Sequence, residues 1–393
     1  MLGSAFVLVH VVIVLLALYG PGNALGDIAV VYRGWADGLR SGAVMGITTP
    51  FVYPLLAMLP IGAALVLGDG LYLYTWFLLV TLVDAIAFFV LVRGSRPRRV
   101  QAAWWWLGFQ LLLGPIALAR IDAVTVPMAI IGLLWLSSRP FWGTALLVLA
   151  TWVKIWPAAV IAALVVAWPK RWRMLLTAAA MSLGIVVVAL AFGSGSNVFS
   201  FVTAQTARGI QIEAPVAGFW MWLTALRVPG SSLYYDFDIL TFQVAGPGVE
   251  VASAVMTPLL AVMAAAVLLL GVRATRAGAA FATVLPPLAL ALTVTLIAFN
   301  KVGSPQFMTW LAAPVILGLV WHGARWRTPA VLALGMAALT QGVYPYLYDW
   351  LLVADPALVL VLTARNLLEL VLLGWAVREL WMSGRARTDP LRV

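Results

Sequence analysis

Apolar residues run through this chain in long blocks, each closed by a short polar or basic interruption, from residue 2 to residue 377. Blocks this long and this pure predict helices that enter or cross a bilayer. Twelve helices follow when every basic run is set on one side. They are residues 2–19, 71–92, 103–119, 123–136, 142–156, 158–168, 174–192, 251–272, 279–299, 307–321, 329–344 and 356–377. The third to sixth fall short of the roughly 20 residues a full span needs, so partly embedded pairs are expected there. The fold class expected is an all-α polytopic membrane protein of about 12 transmembrane helices, built as one domain over residues 1–393.

Two long segments interrupt the pattern. In the first, residues 21–70, Ile28, Val31, Tyr32, Trp35 and Leu39 recur at helical spacing, with Arg33, Asp37 and Arg40 on the other face. One oily and one charged face predict an interfacial helix lying flat on the membrane, with Asp37 paired to Arg33 and Arg40. Pro50-Phe-Val-Tyr-Pro-Leu-Leu follows, too broken by proline for an ordinary span, and reads as a second interfacial or re-entrant piece. The other segment, residues 193–250, is rich in Gly, Ser, Tyr and Trp and reads as a folded external cap with short helices. Residues 378–393 read as a cytoplasmic tail. No internal repeat is apparent.

Composition agrees. Hydrophobic residues make up 64% and charged residues 10% of the chain, against roughly 45–50% and about 25% in a soluble domain. The first block has neither a basic n-region nor a small-residue cleavage site, so it is expected to stay as a helix. The absence of cysteine excludes disulfides, a thiolate nucleophile and cysteine-ligated zinc, and two histidines argue against a histidine metal site. The net charge of +10 would suggest nucleic acid if it formed a patch. It lies instead in short runs: Arg93, Arg96, Arg98 and Arg99; Lys170, Arg171 and Arg173; Arg273 and Arg276; Arg325 and Arg327; then Arg378, Arg385, Arg387 and Arg392. That is the positive-inside pattern, which orients the chain with both termini cytoplasmic and names no nucleic-acid ligand.

With this threading most acids fall outside: Asp27, Asp37, Asp69, Asp122, Glu213, Asp236, Asp238, Glu250, Asp349 and Asp355. Any general base is expected among them. Asp27 opens the interfacial helix at headgroup level, where it reads either as an N-cap or as a base for an acceptor hydroxyl. Arg120 and Asp122 read as a turn-stabilising ion pair or as part of a polar cavity. Lys154 is a cation inside an apolar stretch, which either snorkels or faces a cavity or partner. Lys301, Ser304 and Gln306 form a polar break that suits a lipid-linked phosphate or is simply a turn. Asp236-Phe-Asp238 has the spacing of a metal-binding pair, but two acids with a gap are common and no metal is expected. Asp84 is read as bonded to a neighbouring helix, Arg365 and Glu369 as paired with each other, and His10 and His322 as filler.

An acid after the first helix, Tyr53-Pro54-Leu55, Lys154-Ile-Trp-Pro157 and Ser304-Pro305-Gln306 occur in an order that resembles the GT-C membrane glycosyltransferases, specifically glycosyltransferase family 87. That family includes the actinobacterial polyprenyl-phosphate-mannose-dependent α-1,2-mannosyltransferases. The resemblance implies a bacterial cytoplasmic-membrane enzyme that passes a sugar with inversion from a polyprenyl phosphate to a glycolipid or glycan hydroxyl outside, with no metal or other cofactor. It implies Asp27 as the base, with Lys301, Ser304, Gln306, Lys154 and Arg120 around the donor phosphate. Asp122, Trp220, Trp222 and Tyr235 are then candidates for contact with acceptor or sugar, with Tyr234 beside them. The related mannosyltransferases carry a histidine near the active site, and neither histidine here is expected outside. A transporter or flippase of a lipid-linked sugar is the alternative, for which two symmetric halves would be expected. An O-antigen-ligase-like enzyme would share the external site and the lipid carrier.

Overall fold

A computed structural model of the protein describes residues 1–206 and 208–385. Twelve principal helices carry the fold: α1 (Leu2–Tyr19), α2 (Tyr72–Val92), α3 (Pro97–Leu113), α4 (Asp122–Trp135), α5 (Pro140–Val153), α6 (Pro157–Ala167), α7 (Arg171–Ala191), α8 (Val249–Arg276), α9 (Phe281–Ala298), α10 (Ala312–His322), α11 (Arg327–Gln341) and α12 (Pro356–Ser383). Among the described residues, seven segments are long and apolar enough to cross a membrane, one of them joining α10 and α11 through residues 305–346. The protein is a mostly helical, polytopic membrane protein.

Proline sets several helix starts. Pro97, Pro140, Pro157 and Pro356 open α3, α5, α6 and α12, where a missing N–H and a fixed φ cost nothing. Asp355 caps α12 by accepting from the Ala357 and Leu358 amides at 2.9 and 3.3 Å. The third helix begins at Pro97, not at residue 103, and ends before Gly114, whose φ of +65° turns the chain into a short 3-10 turn. Placing Arg98 and Arg99 in a loop on charge alone hid that start. The expected tail is shorter than residues 378–393, because α12 continues through Ser383. Arg387 and Arg392 lie outside the described residues.

At the centre stands α9, buried along nearly its whole length and packed by α6, α8, α10 and α12. By contrast, α7 and α8 show most of their apolar surface, as helices facing lipid do.

The first long segment folds as a helical run from Asp27 to Ser41, begun by a π turn. Arg33 and Arg40 do flank Asp37, at 3.5 and 3.8 Å. Much of the run's apolar face is covered by protein. Ile28, Tyr32 and Ala36 are fully buried, Tyr32 tilts against Trp76, and Trp35 meets Phe51 and Tyr53 edge-on. One oily face seeks cover, and here protein supplies it. The second long segment is a cap of short helices around Ile210, Ile212, Trp220, Met221 and Val244. It also holds an antiparallel hairpin, β1 (Ser232–Asp236) with β2 (Thr241–Ala245), which an all-helical expectation left out.

Candidate active site

Three short helices determine where the charged residues sit. Both α4 and α5 have 14 residues and α6 has 11, so they rise about 21 and 17 Å at 1.5 Å per residue. A hydrocarbon core is about 30 Å thick. These helices are therefore too short to cross it alone. Their tips carry Arg120 and Asp122 on one side and Lys154 on the other.

Asp27 reaches Arg120 there, with its carboxylate 3.1 Å from the guanidinium Nε. Arg120 also donates to the carbonyls of Ala24 and Ala119 at 2.8 and 2.7 Å and to the Tyr344 hydroxyl at 2.9 Å. The Tyr344 hydroxyl in turn donates to the Asn23 carbonyl at 2.8 Å. The linker after α1 is thus fastened just ahead of Asp27, at Asn23 and Ala24. The N-cap reading does not hold: Gly26 is the cap residue, Asp27 is the first helical residue, and its side chain makes no capping bond. Arg120 is buried, whereas the Asp27 side chain is 35% exposed. One end of the pair is fixed and the other is reachable.

Asp122 is wholly buried. One oxygen accepts from the Trp310 indole at 2.6 Å and the other stands 3.5 Å from Lys154 Nζ. Lys154 also lies over the Tyr53 ring, 4.3 Å from its centre. Trp310 stacks on Trp156, whose indole donates to Thr125, and the Tyr32 hydroxyl accepts from the Ile121 amide at 3.1 Å. The expected Arg120–Asp122 pair is therefore exchanged for two others, Arg120 with Asp27 and Lys154 with Asp122. As the first residue of α4, Asp122 projects away from Arg120. Two buried cations and two carboxylates thus share one aromatic-walled place that can hold an anion beside a reachable base.

Residues 51–230 match the family model of glycosyltransferase family 87. The match covers 180 of the 393 residues. None of the curated proteins matches it. The matched stretch includes Tyr53, Arg120, Asp122 and Lys154; Asp27 and Lys301 lie outside it.

The remaining candidates stand apart from the Asp27 pair. Lys301 is buried, with its ammonium 3.5 Å from the Ser253 hydroxyl and its carbonyl accepting from the Gln211 amide. Burial lowers its pKa below the ordinary lysine value. Ser304 precedes the 3-10 turn that buries Gln306. Trp220 lies in the cap core with its indole on the Pro247 carbonyl, Trp222 donates to Thr363, and Tyr235 packs on Phe237 and Phe242. Asp236 accepts from the Asp238 and Ile239 amides and so closes the hairpin turn. Glu213 takes Arg365 at 2.9 Å, closer than the expected partner Glu369 at 3.7 Å. Burial raises the Glu213 pKa against the pull of Arg365. His10 is no filler. Its Nε2 meets the buried Asp84 at 3.1 Å, and Gln110 donates to the same carboxylate oxygen. His322 sits against the Ala282 carbonyl, so neither histidine joins the cluster.

Sequence reasoning passed over Tyr32, Tyr344, Trp310 and Arg208. The first three look like ordinary aromatics. Arg208 follows the cap's short helix, and its Nε is buried without a hydrogen-bond partner among the described residues. Burial lowers its pKa while Tyr53, nearby, opposes that fall.

Proposed function

We propose that this glycosyltransferase moves a sugar, mannose in our reading, from a polyprenyl phosphate to a hydroxyl of a glycolipid or glycan, with inversion, on the membrane face opposite the basic runs. One observation carries the reading: the reachable carboxylate of Asp27, fixed by Arg120 at the lip of a buried group of charges. The other engaged acids have structural employment. Asp69 pairs with Arg40, Glu213 with Arg365, Asp236 closes a turn, Asp355 caps α12 and Asp122 is sealed in.

The chemistry follows from that contrast. The acceptor oxygen bonds to the anomeric carbon from the face opposite the phosphate. The bond from that carbon to the phosphate oxygen breaks, and the phosphate leaves with the electron pair. Asp27 takes the hydroxyl proton. In this reading Lys154 and Arg120 are the cations that favour the charge gathering on the leaving phosphate, while Lys301 stands apart from them. A transporter would need none of this, and the match of residues 51–230 to a glycosyltransferase family favours transfer.

The test is Asp27→Asn, which keeps the shape of the side chain and removes the proton acceptor. General-base help is worth about 10²–10⁴ in rate, so turnover of polyprenyl-phosphate-mannose by the purified variant should fall by that factor when both proteins are assayed well below their own thermal midpoints. Turnover within a few-fold of wild type would remove Asp27 from the chemistry.

A further inference from the structure

At the opposite end of α6 and α9 a cavity opens, of about 790 Å³, lined by Arg96, Arg98, Arg99 and His322 with Trp168 and Trp321 among its walls. No carboxylate lines it. The arginines differ in what they already do. Arg98 donates to the Trp321 carbonyl at 2.8 Å, and Arg99 to the Val90 and Leu91 carbonyls at 3.0 and 3.3 Å. Each holds a helix end with one nitrogen and keeps further donors. Arg96 makes no ion pair among the described residues and is exposed at the start of α3.

Three guanidinium groups without an acid call for an anion. The aromatic wall narrows the choice, since Phe281 meets Trp168 edge-on at 4.6 Å and Trp321 at 5.6 Å. Arginine beside tryptophan is the chemistry of the headgroup zone, where a phosphate and the top of an acyl chain must be met together. Free phosphate has no use for the indoles, and a neutral lipid has none for three arginines.

We propose that this cleft is a binding site for an anionic phospholipid, its phosphate held by Arg96, Arg98 and Arg99 and its glycerol region laid against Trp168 and Trp321. The cleft is separate from the Asp27 cluster, joined to it only through the lengths of α6 and α9, and the proposal stands whether or not the transfer reading does.

Native mass spectrometry of the purified protein, supplied with equal phosphatidylglycerol and phosphatidylcholine, tests it. The wild type should retain phosphatidylglycerol in preference, by about fivefold for each arginine engaged. Arg96→Gln, at a position that bonds to no helix end, should lower that preference about fivefold while the protein stays folded. Arg378→Gln, at an exposed position on α12 away from the cleft, should leave it unchanged. Equal retention of the two lipids, or a preference unaltered in Arg96→Gln, would overturn the proposal. Full displacement of phosphatidylglycerol by millimolar inorganic phosphate would assign the cleft to the free ion instead.

Discussion

Lys154 is the clearest case of a residue whose importance was legible and whose partner was not. A cation in an apolar run announces itself, because leaving it unpaired there is costly. Nothing in the spacing pointed to Asp122, 32 positions away, or to the Tyr53 ring above it. The same limit separated Arg120 from Asp122. Sequence neighbours share a place but not a direction, and the start of a helix turns one side chain away from the other. The pairing makes a specific prediction. Asp122→Asn keeps an oxygen for Trp310 but strands the lysine, and Lys154→Met strands the aspartate, so each should cost about 3–5 kcal/mol. Both changes together should cost far less than the sum, because nothing is then left buried and unpaired. Thermal midpoints of the four proteins complete the cycle. Additive losses would show that the two charges do not depend on each other.

At the level of elements, helices were easy to find because their composition is extreme and proline marks their starts. The hairpin was hidden because its strands are five residues each and sit in a stretch that reads as loop. The helix opened by Asp27 was found by its periodicity, yet periodicity says only that one face must be covered. Whether lipid or protein covers it depends on Trp76, Phe51 and Tyr53, which lie far along the chain. One junction between elements was not legible at all. Gly303, in the polar break after α9, lies so close to the cap that a Cβ there would collide with the backbone of Ala214. Backbone cannot swing aside as a side chain can, so Gly303→Ala should push the break and the cap apart. Limited proteolysis should then cut residues 208–230 faster than in wild type, with the helices intact. Unchanged cutting would mean that the contact is easily relaxed.

For the whole molecule, the approximate positions of the twelve helices were readable, and so was the shortness of α4, α5 and α6, whose apolar blocks stop before the length of a full span. The expected threading puts positions 97 and 171 on the cytoplasmic side, with both termini. Single cysteines placed there, in a chain that has none of its own, should resist an impermeant thiol reagent in intact cells and react once the membrane is opened. Reaction in intact cells would reverse the orientation. The shortness of those three helices has one more consequence. A group held at their tips is covered by the surrounding protein, Asp122 fully and Lys154 nearly so, and bulk water reaches it poorly. Water is the commonest rival of any sugar acceptor. If the proposed transfer takes place there, a reactive donor so covered keeps hydrolysis slow by concentration alone, and needs no lid to choose a scarce hydroxyl over an abundant solvent.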